Sequence, residues 1–139
     1  MLSWDEARHA LGVPQMDATH QEFLALVAEV ARADPEDFPQ LFEVLADHTR
    51  DHFANETELM LACGFPAIAE HEGEHRRVLR EMDRFLDGIF EGRASLARTY
   101  LRSGLSDWFA NHLATMDAAL AASLKRAQAH VPATCRHCA

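Results

Sequence analysis

The chain has 139 residues, enough for one domain with a real core, and carries 13 Lys+Arg against 22 Asp+Glu for a formal net charge of −9. That balance disfavours nucleic acid and anionic membrane surfaces as partners, and no apolar run approaches the ~20 residues of a membrane span. Three unevenly placed cysteines (Cys63, Cys135, Cys138) make no disulfide framework, and the opening Met-Leu-Ser-Trp-Asp-Glu lacks a secretory apolar core, so a cytoplasmic protein is expected.

Residues 1–13 read as an arm with Trp4 as a packing lid. Pro14 suits the first turn of a helix running to about Ala33, with an apolar stripe at Met16, Phe23, Leu24, Val27 and Val30. His20 sits one turn before Leu24 on that stripe and should face inward. After the turn Asp34-Pro35-Glu36-Asp37, a second helix spans about Pro39 to Cys63, with Leu41, Leu45, His48, His52, Glu56, Leu59 or Met60, and Cys63 in line. Gly64-Phe65-Pro66 breaks it. A third helix covers about Ile68 to Phe90, its stripe holding His71, His75, Val78 or Leu79, and Met82, with Gly88 and Gly92 marking its end. The last helix runs from about Ser95 to His130 through Leu101, Leu105, Trp108, Phe109, His112, Met116 and Leu120, and Pro132 stops it. No segment alternates with period two. The expected fold is all-α: an up-down-up-down antiparallel four-helix bundle with an N-terminal arm over residues 1–131, then a short tail over 132–139.

Nine histidines are the unusual part of the composition. His52 and Glu56 are four residues apart, as are His71 and His75, so each pair stacks on one helix face with Cβ atoms roughly 6 Å apart. His20, His52, Glu56, His71, His75, His112 and Asp117 all fall on inward stripes, and together they draw on all four helices. One such histidine is more often a hydrogen-bonded core residue than a ligand. Five imidazoles and two carboxylates without partners are too costly to bury, and metal is the remedy. Asp117 follows His112 by five residues, which at α-helical geometry rotates it about 140° and leaves the pair flanking a site. Imidazole and carboxylate without thiolate suit iron, zinc, copper or nickel, and seven ligands are too many for one ion. If both carboxylates bridge and an oxide or hydroxide bridges too, two octahedral ions are left with one open position. A small ligand such as dioxygen fits there.

The opening Trp4…Gly12-Val13-Pro14-Gln15-Met16-Asp17-Ala18-Thr19-His20 resembles that of the bacterial hemerythrins. So do His52-Phe53-Ala54-Asn55-Glu56, Gly64-Phe65-Pro66, His71-x-x-x-His75 and Trp108-Phe109-Ala110-Asn111-His112-Leu113-Ala114-Thr115-Met116-Asp117. The resemblance implies two non-haem irons per chain with a bridging oxo or hydroxo group, binding dioxygen reversibly without enzymatic turnover. It implies that His71, His75 and His112 hold the closed iron, His20 and His52 the open one, and that Glu56 and Asp117 bridge. Azide and nitric oxide are the other expected ligands. The alternative within this fold is an oxygen, nitric oxide or redox sensor, or an iron-handling protein, working through a redox or receiver partner. Three positions depart from the family's habits: Thr19 stands where Gln is common, His48 where an aromatic residue is common, and Phe109 where Leu is common. His48 is expected as filler or as a group behind the ligands. Phe109 and Trp108 are expected to screen the open iron.

Two patterns compete. His71-Glu72-Gly73-Glu74-His75 fits H-E-x-x-H, in which Glu72 would serve a zinc hydrolase as general base, but five other donors would then be idle. Glu6-x-x-His9 mimics a diiron-carboxylate motif, yet it lies in the arm before Pro14, where a solvated segment is expected. Cys135 and Cys138 could form a redox pair or metal clip, or belong to a plain tail. Cys63 is expected as a small buried apolar residue.

Overall fold

The computed structural model describes residues 2–130, so Cys135, Cys138 and the tail lie outside the described residues. A one-turn helix α1 (Glu6–His9) is followed by three long helices: α2 (Pro14–Ala31), α3 (Phe38–Ala62) and α4 (Ile68–Phe90). The fourth rod of the bundle is α5 (Ala94–Thr99), α6 (Leu105–His112) and α7 (Ala118–His130), joined without a break by wide π-type turns at Tyr100–Gly104 and Leu113–Asp117. Among the described residues there is no strand, and no helix is long and apolar enough to cross a membrane. The architecture is the expected helical bundle.

The ends of the helices follow from local chemistry. Gly64 takes φ +63° after α3, which lets the Phe65 N–H reach the Met60 carbonyl at 2.9 Å and the Gly64 N–H reach Leu61 at 3.3 Å. This is a Schellman closure, and Phe65 packs into the same apolar cluster as Met60. Gly92, at φ +90°, closes α4 in the same way, through Arg93 to Gly88. Gly88 itself is buried inside the last turn of α4 and does not end it. α2 stops at Ala31, two residues short of the expected end. Arg98 donates to the carbonyls of Ala31 and Ala33 across the bundle, and its guanidinium lies 4.1 Å over the Phe38 ring. At the other end of α2, Asp17 accepts from the backbone of Leu11 and Gly12 and ties the arm down.

The core divides into a large cluster around Phe23, Phe38, Phe42, Leu101, Leu105 and Phe109 and a smaller one around Val13, Met16, Met60 and Phe65. On α3 Leu45, His52, Glu56 and Met60 are buried as the stripe predicts, whereas Leu41 and His48 are only half-buried and their inward places are taken by the next residues, Phe42 and Thr49. The arm is less solvated than expected. His9 is buried, with Nδ1 accepting from the Asp5 N–H, and Trp4 packs near its ring while donating to Glu6. Cys63 is half-buried.

Candidate metal centre

Seven polar side chains lie buried between the four rods: His20, His52, Glu56, His71, His75, His112 and Asp117, each 4 % exposed or less. α2 supplies His20, α3 supplies His52 and Glu56, and α4 supplies His71 and His75. The fourth rod supplies His112 and Asp117. Glu56, His71, His75, His112 and Asp117 each place one donor atom within 4.8 Å of the others, and His20, His52 and Glu56 do the same. Glu56 belongs to both groups. Its Oε1 faces His71 at 3.2 Å and His75 at 3.3 Å, while its Oε2 faces His20 at 3.1 Å and His52 at 2.8 Å. Asp117 is split in the same way: Oδ1 lies 3.1 Å from His71 and 3.2 Å from His112, and Oδ2 lies 3.2 Å from His20. The donor set thus divides into a three-histidine side and a two-histidine side, with both carboxylates spanning the divide.

The close approach of His112 and Asp117 corrects the expected geometry. A regular α-helix would rotate them apart, but the turn Leu113–Asp117 is wound as a π-helix, in which the hydrogen bond closes one residue later. Residues five apart then fall near one another on one face. Without that wide turn, Asp117 could not reach both sides of the site.

The residues fit a metal. All five histidines turn Nε2 inward and leave Nδ1 buried without a partner. His75 Nε2 faces His112 Nε2 at 3.2 Å, an arrangement of two lone-pair-bearing nitrogens that a shared cation would favour. Both Asp117 oxygens touch histidine nitrogens, yet neither makes a hydrogen bond of normal geometry. Crowding Nε2 atoms and carboxylate oxygens together in a dry core is costly, and a borderline divalent ion with a taste for imidazole and carboxylate would satisfy these inward-facing atoms, the Asp117 oxygens among them.

Without metal, the cluster holds protons instead. Burial pulls the His20 and His71 imidazoliums down, but the close carboxylates of Asp117 and Glu56 outweigh it and raise both to about 9. Burial likewise pushes the Glu56 carboxyl up, and the four histidines around it pull it well below the usual carboxylate range. For Asp117, burial and the Glu56 charge push up, yet His112, His20 and His71 win and hold it low. His75 goes the other way: burial lowers it, and Glu56 does not compensate.

Every histidine of the set has an aromatic ring against it. Phe53 stacks on His75 with centroids 3.8 Å apart, and Trp108 stacks on His112 at 4.5 Å. Phe65 meets His71 edge-on, Phe23 meets His52 and Phe109 meets His20. Trp108 therefore stands on the three-histidine side, held there by a hydrogen bond from its Nε1 to Glu74, and does not screen the two-histidine side with Phe109 as expected. Phe109 is on the expected two-histidine side, in contact with Phe23. His48 lies a turn before His52, half-buried, with Nε2 3.8 Å from Glu22 and no contact to the donor set. Glu72 points off the set toward Arg76. Phe53 and Phe65 carry more of the site than their sequence pattern suggests, since a phenylalanine beside a histidine reads as ordinary core.

Residues 11–124 match the family model described as the hemerythrin HHE cation binding domain. The chain belongs to the hemerythrin family. It is 36 % identical over 117 residues to a bacteriohemerythrin of Ralstonia nicotianae, covering 84 % of both chains. It is 26 % identical over 129 residues to a bacteriohemerythrin of Stenotrophomonas maltophilia, covering 90 % of this chain and 82 % of that one. Crystal structures of hemerythrin variants superpose with a TM-score of 0.81 over 89 % of this chain and 97 % of theirs at 21 % identity, which shows the shared fold. The hemerythrin domain of this chain thus carries its buried histidine and carboxylate cluster where the four rods meet.

Proposed function

We propose that this hemerythrin domain binds dioxygen reversibly at a non-haem diiron centre and is not an enzyme. The observation that carries the reading is the split of Glu56, one oxygen toward each histidine group, repeated by Asp117. Two carboxylates that each span both groups serve a pair of ions better than one. His71, His75 and His112 would hold one iron and His20 and His52 the other, so the second is short of a protein donor. When bound, such a pair supplies two electrons to a diatomic ligand and recovers them on release. The chain's own work is to fix the imidazoles, offset the cationic charge with two carboxylates, and exclude water. Phe23 and Phe109, each 1 % exposed, meet His52 and His20 edge-on and wall that side with carbon. Azide and nitric oxide would compete for the same position.

The test is iron quantification together with an anaerobic absorption spectrum before air, after air and after degassing. Two irons per chain and bands that appear with air and fade on degassing are expected. His75→Ala should lose at least one iron. A single tightly held metal, indifferent to His20→Ala, sinks the dinuclear reading.

A further inference from the structure

The donors are buried on all sides, so metal must reach them through some opening. Clefts of differing chemistry reach the donor set from among the described residues. One, of about 260 Å³ between α3 and α4, ends on His75 and is lined by Arg50, Arg76 and Glu72, with Arg76 facing Glu72 and Arg50 paired with Asp47 and Asp83, so charges of both signs meet at its mouth and none is left free to draw in a cation. A second, of about 150 Å³, ends on His71 past Phe65, Ala67, Met116 and Ala119, with Glu70 and Thr115 also on its walls. A third is small, about 60 Å³, and lies between α2 and α3. Its rim is formed by Gln15, Thr19 and Asn55, and its floor by His52 and Glu56.

We propose that this third cleft is the route by which a divalent metal ion and its hydrating waters reach and leave the buried donors. The inference rests on the metal-centre reading and adds a door to it. Gln15 and Asn55 are exposed, and among the described residues their side-chain amides make no hydrogen bond, so their oxygens are free to replace water on an incoming ion. Thr19 donates its hydroxyl to the Gln15 backbone carbonyl one turn earlier, which fixes the Thr19 side chain at the rim. The volume has room for roughly two to four waters. Its floor presents two members of the donor set together, an imidazole and a carboxylate, where each of the other clefts reaches only one, a single imidazole. Glu56 is also the residue whose two oxygens face both histidine groups, so an ion arriving there can be handed to either side. The opposite flank of His20 is closed by Phe109 and Phe23.

The route is tested by filling it with Thr19→Leu and, separately, Asn55→Leu in the full chain. Ala119→Leu, in the apolar cleft, is the control. Two rates are read: loss of iron from the loaded protein to a ferrous chelator, and uptake of cobalt(II) by the stripped protein, followed by its ligand-field band. Circular dichroism checks that each variant is folded. Both filled variants should slow exchange about tenfold or more, the rate equivalent of one added barrier of 1.4 kcal/mol, with the final metal content unchanged. Parent-like rates in both folded variants overturn the route, as does slowing by Ala119→Leu alone. A parent chain that takes up no cobalt and holds no iron overturns the metal centre itself, and the route with it.

Discussion

Phe53 lies flat on His75, the ring planes 4° from parallel and the centroids 3.8 Å apart. The same phenylalanine meets Trp108 at 6.1 Å, and Trp108 in turn stacks on His112. Two of the three histidines on one side of the site are therefore oriented by one aromatic pair. Replacing Phe53 removes the surface on which His75 rests and leaves a void against a charged cluster.

Phe53→Ala should cost roughly 3–5 kcal/mol of unfolding free energy in the metal-loaded protein, the usual range for a buried phenylalanine. It should also speed metal loss to a chelator, because His75 is free to turn. Urea unfolding and chelator kinetics on the same sample check both. Full stability with unchanged metal retention would show the stack to be incidental.

Trp108→Phe keeps a ring on His112 but removes the hydrogen bond to Glu74. Loss of one such bond should cost about 1 kcal/mol. Glu74 is held low, at about 2, first by its hydrogen bond to Arg77, with burial opposing and Trp108 adding to the effect. A depressed carboxyl stabilises the fold above its ordinary value of 4.5, and that contribution fades as pH falls toward 2. Acid unfolding of Trp108→Phe should therefore begin at a slightly higher pH than in the parent. Coincident acid transitions would contradict the hydrogen bond.

Much of this site is legible in the sequence, and the reason is periodicity. His52 with Glu56 and His71 with His75 sit at a spacing that regular α-helix enforces, and both pairs meet as expected. α4 begins and ends where its stripe and its glycine predict. What periodicity cannot reach is any departure from regular winding. The π turn at Leu113–Asp117 has no marker in its own residues, and only the need for Asp117 to join the cluster signals it. The placement of Trp108 is hidden for a related reason. It and Phe109 are adjacent in sequence, but successive helical residues point about 100° apart, so they serve opposite sides of the site. His48 misleads in the opposite direction: it has the right spacing from His52, but the face it continues has already turned toward Glu22.

Proton release should accompany metal binding. In the metal-free chain His20 and His71 are raised from 6.5 to about 9, because Asp117 and Glu56 outweigh burial. A raised imidazolium stabilises the metal-free fold fully below pH 6.5, and that stability is lost as pH rises through about 9. Metal must displace those protons, so its apparent affinity should climb with pH across the same window. Chelator competition at several pH values, with proton release measured in weak buffer near pH 7, tests this. Affinity flat with pH and no released protons would mean that the imidazoles are already neutral.

Phe109 has a definite place in the structure. It is 1 % exposed, meets His20 edge-on at 5.5 Å, and packs on Phe23 at 4.9 Å. It is thus a wall on the two-histidine side, where the proposed open position lies. Phe109→Ala should cost roughly 3–5 kcal/mol of stability, since the packed core around it can collapse only in part. The space left behind adjoins His20, so water and small anions gain standing room beside the centre. Azide should then bind the oxidised protein faster, and the oxygenated form should decay faster, because water or a proton near the ligand promotes irreversible oxidation. Phe109→Leu restores most of the carbon and should restore most of both rates. Stopped-flow azide binding and the lifetime of the oxygenated band decide it. If the alanine variant is folded and iron-loaded yet keeps parental rates, Phe109 supports the core and does not guard the site.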